Sequence, residues 1–207
     1  MAKGVFIALE GGEATGKTTT AQAVKEKMEA LGYEVVVTRE PGGIPSAEAI
    51  RNNIMDFHVD PKTELLLYVA ARREHLVNKV IPALEAGKIV ITDRFHISSL
   101  VYQGCARELG MEAVRMLNDF ACEGHYPDLN IIIDIPVEVS MERKKGVEDI
   151  NRLDLEGYAF HKKVEEAYKM ISEKGEDPTL VIDGTKPMDE MIEEIYEVIK
   201  NKVEAMQ

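Results

Sequence analysis

Runs of β-branched and apolar residues alternate along this chain with stretches in which apolar residues recur every three or four positions. Val5 to Glu10 (VFIALE) is a β-type run that breaks at Gly11-Gly12, after which Ala21, Val24, Met28 and Leu31 keep helical spacing up to Gly32. The alternation continues through an extended run at Glu34 to Thr38, a helix near Ala47 to Met55, a long helix from about Lys62 to Glu85 and an extended run at Lys88 to Thr92. A helix around Met111 to Cys122, a strand at Leu129 to Ile135, helical segments from about Glu138 and from Leu155 to Ser172, and a strand at Thr179 to Ile182 follow. Met188, Met191, Ile192, Ile195, Ile199 and Val203 mark a last helix. Five Val- and Ile-rich runs, each followed by a helix, predict an α/β fold: a five-stranded parallel sheet flanked by helices on both faces. Leu65 to Ala71 is apolar around the whole helix, so both of its sides should be covered, either within a central core or by a second copy of the chain.

With 207 residues, 45% of them hydrophobic, the chain can form one core of ordinary size, and no repeat or linker divides it. It carries no signal-peptide pattern and no apolar run approaching a membrane span, which sets the expectation of a soluble cytoplasmic protein. Cys105 and Cys122 have neither metal-site spacing nor the density of a disulfide scaffold and read as reduced thiols. A net charge of -12 repels nucleic-acid polymers and acidic membranes. Any phosphate ligand must therefore be a small molecule held by locally gathered positive groups.

One such place is evident. Gly11, Gly12, Glu13, Ala14, Thr15, Gly16, Lys17 and Thr18 match G-x-x-x-x-G-K-[ST] between a predicted strand and a predicted helix, as a phosphate-binding P-loop requires. The glycines let the backbone turn its N–H groups toward phosphate oxygens, and the helix that follows directs its positive end there. Lys17 would neutralise the β- and γ-phosphates of a nucleoside triphosphate, and the Thr18 hydroxyl would hold Mg²⁺. Motors, GTPase switches and kinases all share this much. Asp93 and Arg94 end the third strand, where open α/β sheets gather ligands, so Asp93 could reach the metal ion and Arg94 the moving phosphoryl group. Arg39 on the Thr38–Gly43 loop (TREPGG), with Arg51, Arg72 and Arg73 on helices behind it, adds planar guanidinium forks around one rim, which implies a second anionic substrate.

Taken together, FIALEGGEATGKTT, TREPGG, AARREHL, DRFHISSLVYQG, the YPDL before the fourth strand, and NRLD followed by FHKKVEEAY resemble the bacterial thymidylate (dTMP) kinases over nearly the whole chain. The resemblance implies one P-loop kinase domain, 1–207, with a short mobile lid at about 142–154, and transfer of the γ-phosphate of ATP to dTMP with Mg²⁺. It implies that Arg39, Arg51 and Arg94 grip the 5′-phosphate of dTMP, that Tyr68 stacks on thymine, and that Arg72 donates to thymine O4. Ser99 and Gln103 would hydrogen-bond around the base and Tyr102 would lie against the sugar. Glu13 resembles the acid that approaches the sugar 3′-hydroxyl and metal-bound waters. Thr19 extends the ATP site, and Gly184 to Pro187, with Lys186 and Pro187, resembles the loop lining the adenine pocket. The P-loop lacks an arginine, so the lid should supply the transition-state arginine, Arg152 first and Arg143 second. Three positions depart from the family pattern: the arginine usual a few residues before Asn-Arg-Leu-Asp is missing, Phe95 stands where Tyr or His is common, and Ile97 where some relatives carry an acid. The resemblance also implies a homodimer. The nearest rival reading is a kinase for another small acceptor, and the more distant one is a nucleotide-gated interaction module.

Overall fold

A computed structural model describes residues 4–145 and 156–206. Its elements run β1 (Val5–Glu10), α1 (Lys17–Ala30), β2 (Val35–Arg39), α2 (Pro45–Asp56), α3 (Pro61–His75), α4 (Ile81–Glu85), β3 (Ile89–Asp93), α5 (His96–Ser99), α6 (Met111–Cys122), β4 (Leu129–Asp134), α7 (Val137–Lys144), α8 (Tyr158–Lys174), β5 (Thr179–Asp183) and α9 (Met188–Met206). The five strands form one parallel sheet in the order β2-β3-β1-β4-β5. Because successive strand residues face opposite sides, Val5, Ile7 and Leu9 pack with α1 and α9 on one face, while Phe6 and Ala8 meet the core of the helices on the other. Helices thus cover both faces, as the alternating pattern predicts. No helix among the described residues is long and apolar enough to cross a membrane.

Two segments depart from the sequence reading. The long helix expected from about Lys62 to Glu85 starts at Pro61, where Asp60 caps it by accepting from the Lys62 and Thr63 amides, and it is interrupted by a π-helical turn at Leu76–Val80. Pro82 explains the interruption: it has no N–H to give to the preceding turn and its ring crowds the carbonyl four residues back, so the helix widens ahead of it. The second departure is Leu65–Ala71. Leu65, Tyr68, Val69 and Ala71 are buried, but Leu66 is 55% exposed and Ala70 is exposed as well, so within this chain only one side of the helix is covered. The stretch from His96 to Ala106, which periodicity left unassigned, is α5 continued by a second π-helical turn.

The register of the three strands β2, β3 and β1 builds the functional rim. Arg39 pairs across from Asp93, and Asp93 across from Leu9, so the TREPGG loop, the Asp93-Arg94 turn and the phosphate loop leave the sheet side by side. Backbone hydrogen bonds from the Arg94 amide to Leu9 O (2.9 Å) and from the Glu40 amide to Asp93 O (2.9 Å) tie these exits together.

Candidate active site

At the phosphate loop, Gly11 has φ 139°, and a Cβ there would lie 2.5 Å from the Ile133 carbonyl, so the turn admits no side chain. Lys17 folds back over the loop and donates to Gly11 O (3.3 Å), Gly12 O (2.7 Å) and Thr15 Oγ1 (3.1 Å). Burial, reinforced by the repulsion of Arg94, lowers its ammonium to about 8 against the pull of Asp93, Glu13 and Glu10. The Thr18 hydroxyl donates to Asp93 Oδ2 at 2.5 Å. This pair of hard oxygens beside a phosphate loop is a donor set suited to Mg²⁺. Thr19 is exposed on α1. The loop after β5 closes the same region from the other side: a Cβ on Gly16 would meet Met188 Cε at 2.8 Å, and Arg143 donates to both Ala14 O (3.4 Å) and Gly184 O (2.9 Å). Lys186 in that loop is paired with Glu194 at 2.6 Å, and the Pro187 carbonyl accepts from the Met191 amide.

Beside the loop opens a cleft with a cavity volume of about 210 Å³. Its lining brings together Glu13, Thr18, Arg39, Arg51, Tyr68, Arg72, Asp93, Arg94, Ser99, Tyr102 and Gln103, eleven of the positions singled out from sequence. Arg152 lies outside the described residues, as does most of the lid expected at about 142–154.

Each guanidinium is held differently. Arg94 has φ 70°, a left-handed conformation uncommon for a residue with a side chain and a mark of a constrained site. Its NH2 donates to Glu13 Oε1 at 2.6 Å and its NH1 to Gly11 O at 2.8 Å. Burial pushes the Glu13 carboxyl up, but the charges of Arg94, Lys17 and Lys144 and the Tyr102 hydroxyl (3.0 Å) outweigh it and hold the group at about 2. Arg39 forms a fork on Glu48, NH2 to both carboxylate oxygens at 2.9 Å, at half-exposed positions. Arg51 reaches the Pro41 carbonyl at 3.4 Å, and burial, then the neighbouring Arg39 charge, lower its pKa from the ordinary arginine value.

Arg72 is buried to 2% exposure and bonds on every side: Nε to Glu40 Oε2 (2.8 Å), NH1 to Asn118 Oδ1 (2.5 Å), and NH2 to Phe95 O (3.0 Å) and Ser99 Oγ (3.1 Å). A guanidinium has five N–H groups. Four are taken by described residues, which leaves one NH1 hydrogen, and Arg72 is among the residues that line the cleft. Glu40 is itself gripped by His75 Nδ1 (3.0 Å), whose other nitrogen meets Thr38 Oγ1 (2.7 Å). Burial works against the Glu40 charge, but Arg72 and His75 outweigh it and keep the carboxyl below its ordinary value. Gly43 makes room for this arrangement: with φ 84°, a Cβ there would sit 2.5 Å from Thr38 Oγ1 and 3.0 Å from the His75 ring.

Several residues that sequence reasoning did not assign turn out to build the site. Glu10, fully buried at the end of β1, accepts from the Phe95 amide (2.9 Å), the Ser98 hydroxyl (2.5 Å) and the Tyr168 hydroxyl (3.1 Å), and so fixes the turn that presents Arg94. A glutamate closing an otherwise apolar strand was the available signal, since a buried carboxylate requires dedicated donors. Glu40 stood inside TREPGG without a role, and Asn118, on α6, carried no local signal.

A strand, a phosphate loop and a helix on a parallel sheet, with an arginine-lined cleft opening beside the loop, define a P-loop phosphoryl-transfer protein. The family model described as thymidylate kinase matches residues 9–195. The chain is 49% identical to the thymidylate kinase of Staphylococcus haemolyticus (strain JCSC1435) over 198 residues, covering 95% of this chain and 97% of that protein. It is 46% identical to the thymidylate kinase of Halalkalibacterium halodurans over 208 residues, with 98% and 99% covered. The chain belongs to the thymidylate kinase family.

Proposed function

We propose that this protein transfers the γ-phosphate of ATP to the 5′-phosphate of dTMP, giving ADP and dTDP. The observation that supports the reading is the cleft itself, whose lining gathers Thr18 and Asp93 with Arg39, Arg51 and Arg94 and with Tyr68, Arg72, Ser99 and Gln103. Lys17 and the loop amides bind the β- and γ-phosphates of ATP, with Thr19, Lys186 and Pro187 at the nucleoside end. Thr18 and Asp93 would hold Mg²⁺, whose charge, when bound, offsets that of the β,γ-oxygens. Arg39, Arg51 and Arg94 orient the acceptor phosphate. One of its oxygens attacks the γ-phosphorus, the bond to the ADP oxygen breaks, and ADP leaves; no side chain acts as nucleophile, and rate comes from alignment and positive charge.

At the other end Tyr68 stacks on the base, Tyr102 lies against the sugar, and the remaining Arg72 hydrogen meets O4. Cytosine offers a donor there and is rejected, while uracil differs only by a methyl group, a distinction of about 1–3 kcal/mol. Within one domain, 1–207, a lid at about 142–154 closes over both nucleotides and brings Arg152 to the moving group; Arg143, tied to the phosphate loop and to Gly184, is the second candidate. The exposed stripe of Leu66 and Val77 on the α3 side, with Met116 and Phe120 on the neighbouring α6, fits a homodimer face. The setting is cytoplasmic. Coupled ADP release from ATP, measured with dTMP, dUMP, dCMP and thymidine and with EDTA as control, tests the reading. Fast, Mg²⁺-dependent turnover with dTMP is expected, whereas ATP hydrolysis indifferent to acceptor would overturn it.

A further inference from the structure

Glu64 does not line the cleft, yet it is 1% exposed and directly behind Gln103, which does. Gln103 Nε2 donates to Glu64 Oε1 at 2.9 Å, and Gln103 is itself 1% exposed. Arg107, one helical turn on, keeps a positive charge near the same carboxylate: its Nε is 3.6 Å from Glu64 Oε1, while its NH2 is held by Glu156 at 2.6 Å.

A primary amide has two different ends, and only its neighbours decide which way it points. A carboxylate can only accept, so the end of Gln103 that meets Glu64 must be the NH₂. The carbonyl oxygen is then turned the other way, and no described residue donates to it. We propose that Glu64 is a specificity-determining positioning residue: it fixes Gln103 so that Oε1 meets the N3–H of a pyrimidine-2,4-dione base. Together with the one Arg72 hydrogen left over for O4, the recess presents a donor beside an acceptor, the complement of thymine or uracil and the mismatch of cytosine. Glu40 fixes the donor half and Glu64 the acceptor half. The inference rests on the reading of this recess as the dTMP base site.

The test is Glu64→Gln, which keeps the shape but lets residue 64 donate, so that Gln103 can turn over. With the wild type turning over dTMP, the variant should lose about 10- to 100-fold in kcat/KM for dTMP, mostly in KM, with the KM for ATP unchanged and the dTMP-to-dCMP ratio falling by a similar factor. In a Gln103→Ala background the same substitution should add nothing. A loss shared equally by all acceptors, with the ratio intact, would make Glu64 a structural residue only and overturn the proposal. Should the variant not fold, the wild type answers with N3-methyl-dTMP, which keeps O4 as an acceptor but has no N3–H: a loss of tenfold or more is expected, and binding equal to dTMP would refute the assignment. Absence of any dTMP-dependent turnover in the wild type would instead defeat the base-site reading itself.

Discussion

Replacing Arg72 with Ala tests stability and recognition at once. The two charges of the Arg72–Glu40 pair are 2% and 3% exposed, so neither is solvated by water. Loss of the guanidinium leaves Glu40 with His75 as its remaining partner and removes the donors that serve Asn118, Phe95 O and Ser99. The neutral hydrogen bonds matter less than the stranded charge. Breaking a buried ion pair from one side costs about 3–5 kcal/mol, which for a chain of this size lowers the melting midpoint by roughly 6–20 °C. Glu40→Gln in the same chain removes the stranded charge, so the double variant should be less destabilised than the sum of the singles, by roughly 2 kcal/mol. Thermal unfolding followed by circular dichroism measures this. Steady-state kinetics on the folded fraction should show a raised KM for dTMP and an unchanged KM for ATP. A midpoint within about 2 °C of wild type would refute the energetic reasoning, and a large midpoint shift with unaltered dTMP kinetics would confine Arg72 to a structural role.

Glu13 titrates at about 2 in the folded protein against 4.5 when unperturbed, so its contribution, about 3 kcal/mol, is fully present above pH 4.5 and disappears as pH falls from there toward 2. The stability difference between wild type and Glu13→Gln, taken from urea melts, should therefore shrink over that interval; a difference constant from pH 7 to 3 contradicts the assignment. Phe120 is 81% exposed beside Met116, and Phe120→Glu should convert a dimer into monomers by multi-angle light scattering. A wild type that already runs as a monomer would end the dimer proposal.

The phosphate-loop end of the site was legible in the chain because its signals are local. The phosphate loop announces itself by glycines at fixed offsets between a β-period and a helix-period run, and Asp93 and Arg94 by their place at the end of an apolar strand. What stayed hidden is non-local. Arg72 looks like one of several cationic positions on a helix, and nothing nearby says that its partners are Glu40, 32 positions earlier, and Asn118, 46 positions later. Phe95 to Gly104 gave no helical period because every residue in it is buried, so there is no polar face to mark the turns. Leu65–Ala71 left two readings open, and with Leu66 and Ala70 exposed in the single chain the central-core reading falls away while cover by a second copy stays a proposal. Gln103 was singled out in the chain, but the carboxylate that its amide donates to, Glu64, lies 39 positions away.

Glu13 and Arg94, locked together at 2.6 Å, make the cleft an ion exchanger. On the proposed function, an incoming acceptor would have to outbid a carboxylate already seated on the guanidinium, which a phosphate monoester near neutral pH, with close to two negative charges, is better fitted to do than a single charge or none. On the same reading, an unphosphorylated nucleoside would leave this pair closed, so the pocket would sort its visitors by charge as well as by ring.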